Sequence, residues 1–293
     1  LCPTRRAQSV SATDRLLARQ THGRKKKIYA PRQPTLQKSA LFSDAATVHI
    51  APMSPRPPIF DDRLVQTRHA RARQDHPLYQ SLAAQILDRL GDIRQRFVHP
   101  LIQGPIRAPL AAAFPNATFH EGFPPPEGPF DLILSLMELH AQNDPLALLS
   151  AFHDQLAENG LLLVVLWGEG TLFRLKQAFT EAETALSGSP SPRFAPLPSL
   201  EALATAGKLC RFDSLVVDRD EITVTAPSFQ TLLHDLRALG ETNALTRRQR
   251  TFTRRALFLE AEQIYRRLIN KPAGDLEATY ELLHLHAQRG ARK

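Results

Sequence analysis

His140, Glu241 and Asn243 are the polar side chains whose settings best suit chemistry. His140 follows the apolar run that starts at Phe130, and a histidine at the end of a buried strand can accept, donate or relay a proton near neutral pH. Glu241 and Asn243 sit in Gly240-Glu241-Thr242-Asn243-Ala244, a loop that would offer substrate a charged acceptor and a neutral one. Glu121, in Glu121-Gly122-Phe123-Pro124, adds a carboxylate ahead of the same run. Arg247, Arg248, Arg250, Arg254 and Arg255 interleave with Phe252, which reads as an anion-facing lid or, more plainly, as the solvated start of a helix.

Other chemistries lack their residues. No Ser/His/Asp or Cys/His arrangement and no phosphate-binding glycine loop of the GxxxxGK type stands out. Cys2 and Cys210 lie in unrelated contexts and form no disulfide framework, which fits a reducing compartment. His284 and His286 are two apart on an expected helix and so point to different faces; no metal site is expected.

Charge narrows the partners. The chain has 293 residues and a formal net charge of +8, but residues 1–52 hold ten Lys and Arg against two acids, leaving the rest balanced. A folded basic face for nucleic acid is therefore not expected. The segment 1–52 reads as a disordered basic tail, with a mitochondrial presequence, a tail touching an anionic partner, or sequence ahead of a start at Met53 as alternatives. The location follows from that choice: the mitochondrial matrix with a presequence, the cytoplasm for a bacterial protein. The longest clean apolar run, Leu161 to Trp167, is far too short to span a bilayer, so no transmembrane helix is expected.

The elements that must position these side chains follow from hydrophobic spacing. Leu78, Leu82, Ile86, Leu87 and Leu90 predict a lead-in helix within residues 59–96; Phe97 to Ile102 suggests a short strand and Pro109 to Phe114 a helical turn. Phe130 to Met137 has the length and composition of a strand covered on both faces. A helix is predicted over Asp144 to Ala157, with Asp144 as cap, Pro145 in its first turn and Glu158-Asn159-Gly160 as its stop; the strand Leu161 to Trp167 follows. Strand, helix and strand make a right-handed βαβ unit with parallel strands, which sets the α/β class. Helices are expected at Thr171 to Leu186, Ser199 to Ala206, Pro227 to Leu239, Arg254 to Ile269 and Thr279 to Ala287. A hairpin is expected from Asp213 to Asp218 and Glu221 to Ala226 about an Arg219-Asp220 turn.

Phe130-Asp131-Leu132-Ile133-Leu134-Ser135, Leu139-His140, Asn143-Asp144 and Asn159-Gly160, taken in order, resemble the second half of class I S-adenosylmethionine-dependent methyltransferases. Glu121-Gly122-Phe123-Pro124 and Gly128-Pro129-Phe130-Asp131 resemble the family's approach to the adenine. Gly168-Glu169-Gly170-Thr171-Leu172 and the Gly240 to Ala244 motif are similar to the branch with the malonyl-carrier-protein methyltransferase of biotin synthesis and mitochondrial complex I assembly factor 5. The resemblance covers residues 59 to 285 and implies a Rossmann-like, mostly parallel sheet with a terminal antiparallel hairpin, abbreviated in its first half and carrying helical additions. Residues 53–293 would form this domain, its C-terminal helices beginning near residue 227.

The same resemblance implies S-adenosylmethionine as cofactor, with Gly104, Glu121, Ser135, Met137 and His140 toward it and Glu241 and Asn243 toward substrate. Two features depart from the pattern. The stretch Val98 to Ile106 holds one glycine, Gly104, and the prolines Pro100 and Pro105, where a cofactor-cradling turn needs several glycines. The short stretch from Phe97 to Phe130 has no place for the second-strand acid that binds ribose, and Ala141-Gln142 stands where relatives often carry Trp-Val. The expectation is a methyltransferase-family protein with a degenerate cofactor site, acting on a protein or carrier-bound substrate. Its alternative is an inactive assembly or scaffold factor whose partner is a respiratory-complex subunit.

Overall fold

A computed structural model of the protein describes residues 57–290. The basic segment 1–52 lies outside the described residues.

Two helices lead in, where one was expected. The first, α1 (Asp62–His69), is capped by the Asp61 carboxylate, which accepts the Leu64 N–H at 3.2 Å; the second is α2 (Pro77–Gly91). Pro77 drives the residue before it out of the helical region, so His76 is extended and becomes the cap of a new helix.

Strand β1 (Pro100–Gln103), the single turn α3 (Ala108–Ala111) and the three-residue β2 (Thr118–His120) are all that precede β3 (Phe130–Leu136), so the first half is short as expected. Helix α4 (Pro145–Gln155) has the predicted cap, Asp144 accepting the Ala147 N–H at 2.9 Å with Pro145 in its first turn. Its end is different. Leu156 is already extended, and Asn159, with φ of 59°, lies within β4 (Leu156–Trp167), where the register with β3 shifts. Then follow α5 (Phe173–Ser187), α6 (Leu200–Leu209), β5 (Ser214–Ala226), α7 (Phe229–Ala238), α8 (Arg255–Leu268) and β6 (Leu276–Gln288).

The sheet order is β2-β1-β3-β4-β6-β5, with β2, β1, β3 and β4 parallel and β6 antiparallel to both β4 and β5. Two expectations are corrected here. Arg219-Asp220 is no turn, since residues 214–226 run as one strand; and Thr279 to Ala287 is no helix but the body of β6. The antiparallel pair joins β5 to β6 across the intervening α7 and α8. Strand geometry also puts His284 and His286 on one face. There Arg89 donates to Asp218 at 2.8 Å and to Asp220 at 2.5 Å, with His284 Nε2 3.5 Å from Asp220.

Both sheet faces are covered. Leu132, Leu134, Leu136, Leu163 and Val165 pack under α2, α5, α7 and α8, while Ile133, Leu162, Val164 and Leu166 pack under α4 and α6. Double coverage is why β3 and β4 read as unbroken apolar runs. Among the described residues no helix is long and apolar enough to cross a membrane.

Candidate functional site

The carboxyl ends of β1, β3 and β4 open onto one edge, where α/β sheets hold their ligands. Three segments roof that edge: α1 with its lead-in, the loop of residues 188–198, and the Gly240 to Ala244 loop. The lead-in and the last loop are tied by Asp61 N–H to Ala244 C=O and Thr246 N–H to Ile59 C=O, both 2.9 Å.

Glu241 and His140, far apart in sequence, meet here. His140 Nε2 donates to Glu241 Oε2 at 3.2 Å, and Trp167 Nε1 donates to Glu241 Oε1 at 2.8 Å. With Nε2–H held in this way, a neutral His140 carries its lone pair on Nδ1, which is buried and makes no hydrogen bond among the described residues. Burial alone would raise the Glu241 carboxyl, but His140, the charge of His69 and the Trp167 N–H hold it below its ordinary value. These residues, with Tyr280, Arg68, Arg193 and Phe194, line a cavity of about 320 Å³.

The 188–198 loop that walls this cavity is anchored by a buried acid. Glu183 of α5 accepts the Ser191 N–H at 2.7 Å and the Ser191 hydroxyl at 2.6 Å, and pairs with Arg193. Asn243 lines the same cavity with its amide already engaged, donating to Pro192 C=O at 2.8 Å and accepting the Leu245 N–H at 3.0 Å.

A smaller cavity of about 240 Å³ lies on the other side of α1, with His69, Val65 and Ala141 in the wall between the two. Glu121 lines it and pairs with Arg107 at 2.8 Å. Glu138 is 2% exposed; its Oε1 accepts the Gly122 N–H at 3.2 Å and Gln142 Nε2 at 2.7 Å, and His69 Nδ1 stands 3.3 Å from its Oε2. Burial alone would depress the His69 imidazole; its hydrogen bond to Glu138 and the charges of Glu241, Glu138 and Glu121 raise it above its ordinary value.

The remaining expected residues line neither cavity. Gly104, with φ of 113°, is where β1 passes β3: a Cβ would stand 1.9 Å from the Leu136 carbonyl oxygen. Ser135 and Met137 are fully buried, and Met137 N–H donates to Val165 C=O at 2.8 Å. The turn after β1 is closed by a side chain from outside it. Gln74 Oε1 accepts the N–H groups of Arg107 at 2.9 Å and Ala108 at 3.2 Å, and its Nε2 donates to Pro105 C=O.

Sequence reasoning missed Gln74, Arg107, His69, Glu138 and Trp167 as members of this edge. Glu138, an acid just before Leu139-His140, was the one with a local signal. The basic cluster lies just before and at the start of α8: Arg248 pairs with Asp61 at 3.2 Å, while Arg247, Arg250, Phe252, Arg254 and Arg255 are exposed. Among the described residues no group of His, Cys, Asp and Glu is placed to hold a metal ion.

No family model matches the sequence. It is 33% identical over 165 residues to the arginine-hydroxylase NDUFAF5, mitochondrial, of Rattus norvegicus, covering 56% of this chain and 48% of that protein. It is 32% identical over 176 residues to the malonyl-[acyl-carrier protein] O-methyltransferase of Xylella fastidiosa (strain M23), covering 60% of this chain and 56% of that one. The chain spans about half the length of these curated relatives. Among solved structures, a putative methyltransferase of Bacillus halodurans aligns at 12% identity with a TM-score of 0.43, over 71% of this chain and 99% of that one. The resemblance to the class I methyltransferase branch read from the motifs is the one these relatives carry.

Proposed function

We propose that this relative of NDUFAF5 and the malonyl-carrier methyltransferases is a methyltransferase-family protein whose cofactor cradle is closed by its own side chains, and which serves as a recognition or assembly factor for a protein-borne group. The observation that carries this is Gln74. In the family pattern the turn after the first strand presents free N–H groups to the cofactor; here the Gln74 amide takes those of Arg107 and Ala108. Three further features agree. Gly104 serves strand packing, Glu121 is neutralised by Arg107, and Ala141 leaves the cofactor position without an aromatic cover. The residues present do not fit S-adenosylmethionine in the family's manner, and no step is derived through it.

What remains open is the larger cavity with Glu241 at its floor. One relative is an arginine hydroxylase, and the other is an O-methyltransferase of malonyl-[acyl-carrier protein], a group carried on a protein. An ionised carboxylate beside an imidazole, with Trp167 and Tyr280 as apolar walls, suits a polar group delivered on a chain from outside. By the same analogy the partner would be a carrier protein or a respiratory-complex subunit.

A second reading, retained catalysis, is favoured by the hydrogen-bonded His140 and Glu241 side chains that both line that cavity. A thermal-shift titration with S-adenosylmethionine and S-adenosylhomocysteine separates the two. The expected result is no saturable shift from folded protein. A working site at a hundredfold excess over Kd would add about 2.7 kcal/mol, a rise of roughly 5–10 °C, and that result overturns the closed cradle.

A further inference from the structure

β5 ends the sheet, and among the described residues no strand pairs with the side it turns away from β6. Its pairing with β6 runs through all 13 residues, Ser214 to Ala226, without a bulge, so the free side is a long, regular row of backbone donors and acceptors. Edges of this kind are ordinarily shortened, bent or covered.

The charges of β5 sit about its midpoint, Asp220. Asp218 and Asp220 share one face, where Arg89 of α2 holds them at 2.8 and 2.5 Å. Arg219 and Glu221 are exposed on the other face. Glu221 makes no ion pair among the described residues, and directly opposite it on β6 stands another acid, Glu281. Arg219, whose side chain is 56% exposed, approaches only that second acid, at 3.4 Å. Like charges opposed across a ladder destabilise it, so Glu221 stands where a cation belongs.

We propose that β5 pairs antiparallel with β5 of a second copy of this chain, about a two-fold axis through Asp220, so that one sheet runs across both copies. The side chains select this register, because an antiparallel pair sets directly opposed residues on one face. With Asp220 on the axis, the two strands overlap along their whole length and each Arg219 stands opposite Glu221 of the other copy. Both Glu221 carboxylates gain a cation. Val216, a valine left 54% exposed, comes to lie opposite Val224. Moving the axis to Arg219 or to Glu221 would oppose like charges instead, which guards the register against slippage. The two Asp220 side chains meet at the axis, and there Arg89 of each copy supplies the balancing charge. Coverage matches as well: α6 packs over Leu215 and Val217 and leaves the face bare from Arg219 onward, and the two-fold brings the covered end of one strand beside the bare end of the other.

Sedimentation equilibrium of the full chain at micromolar concentrations tests the pairing. The wild-type protein should reach twice the chain mass, and hydrogen exchange of the 214–226 amides should slow as the dimer fills. Glu221→Arg removes one of two opposed acids within the chain and should fold as the parent does, which circular dichroism checks. It should weaken the dimer about tenfold or more, because arginines then face each other in both pairs. The double variant Arg219→Glu/Glu221→Arg keeps an arginine opposite Glu281 and restores opposite charges between copies. Its dimer should return to within about threefold of the wild-type constant. A wild-type chain that stays monomeric, a dimer indifferent to Glu221→Arg, or a loss that the folded double variant does not reverse overturns the proposal.

Discussion

Gln74 Oε1 lies 2.9 Å from the backbone nitrogen of Arg107, so a residue of the loop between α1 and α2 satisfies the turn after β1. Gln74→Ala would leave two backbone N–H groups and the Pro105 carbonyl to find water. A loss of about 1–3 kcal/mol is expected, read as a lower urea midpoint with unchanged slope.

Trp167→Phe removes the indole N–H from Glu241 Oε1 while keeping an aromatic ring beside Tyr280, 5.2 Å away between ring centres. The cost should be about 1–3 kcal/mol at neutral pH. Because the Glu241 carboxyl is held below its ordinary value, its contribution is present above the unfolded value near 4.3 and is lost as pH falls through the folded one. Glu241→Gln should therefore flatten the acid end of a stability profile measured by denaturant titration.

His284 gives a second acid sensitivity of the same sign, in a higher pH window. Burial first, then the positive charge of Arg89 from α2 and of His286, lower its imidazole to about 4, against the opposing pull of Asp218 and Asp220 on β5. The unfolded chain thus binds a proton that the native one refuses between about pH 6.5 and 4, and stability falls as pH drops through that window. The slope attributable to this group should reach about 1.4 kcal/mol per pH unit and disappear in His284→Leu.

Two glycines with positive φ should respond differently to alanine. At Gly104 the new Cβ meets the Leu136 carbonyl oxygen at 1.9 Å, within the parallel sheet. Gly104→Ala should cost more than about 4 kcal/mol, seen as insoluble or unfolded protein. At Gly188, the C-cap of α5, nothing lies within 4 Å, and the cost should stay near about 1 kcal/mol in a melting experiment.

The parts legible in sequence were those whose signal is local. β3, α4 and β4 announce themselves because a doubly covered strand is a continuous apolar run and Asp144-Pro145 is a helix start. β6 was misread because Leu, Ala, Glu and His are acceptable helix formers and burial of most of its side chains hides any period of two; pairing with β4 and β5 overrides that preference. Arg219-Asp220, in the charged centre of β5, reads as a turn in sequence because Arg89, the partner of Asp218 and Asp220, comes from a distant helix. At the edge of the sheet, His140, Glu121, Glu241 and Asn243 were read as polar residues of loops and strand ends. Their partners Trp167, Arg107 and Pro192 come from other elements, and no spacing rule connects them.

β6 follows β4 and β5 in sequence, yet it lies between them in the sheet. During synthesis β4 and β5 are both complete while their shared neighbour is still within the ribosome. Until residues 276–288 emerge, β4 presents the edge from Leu161 to Trp167, an apolar ladder with no partner on that side. Such an edge invites pairing with other nascent chains. Closure of the sheet therefore waits on residues 276–288, and a ribosome that stalls within them would release a product with the β4 edge open.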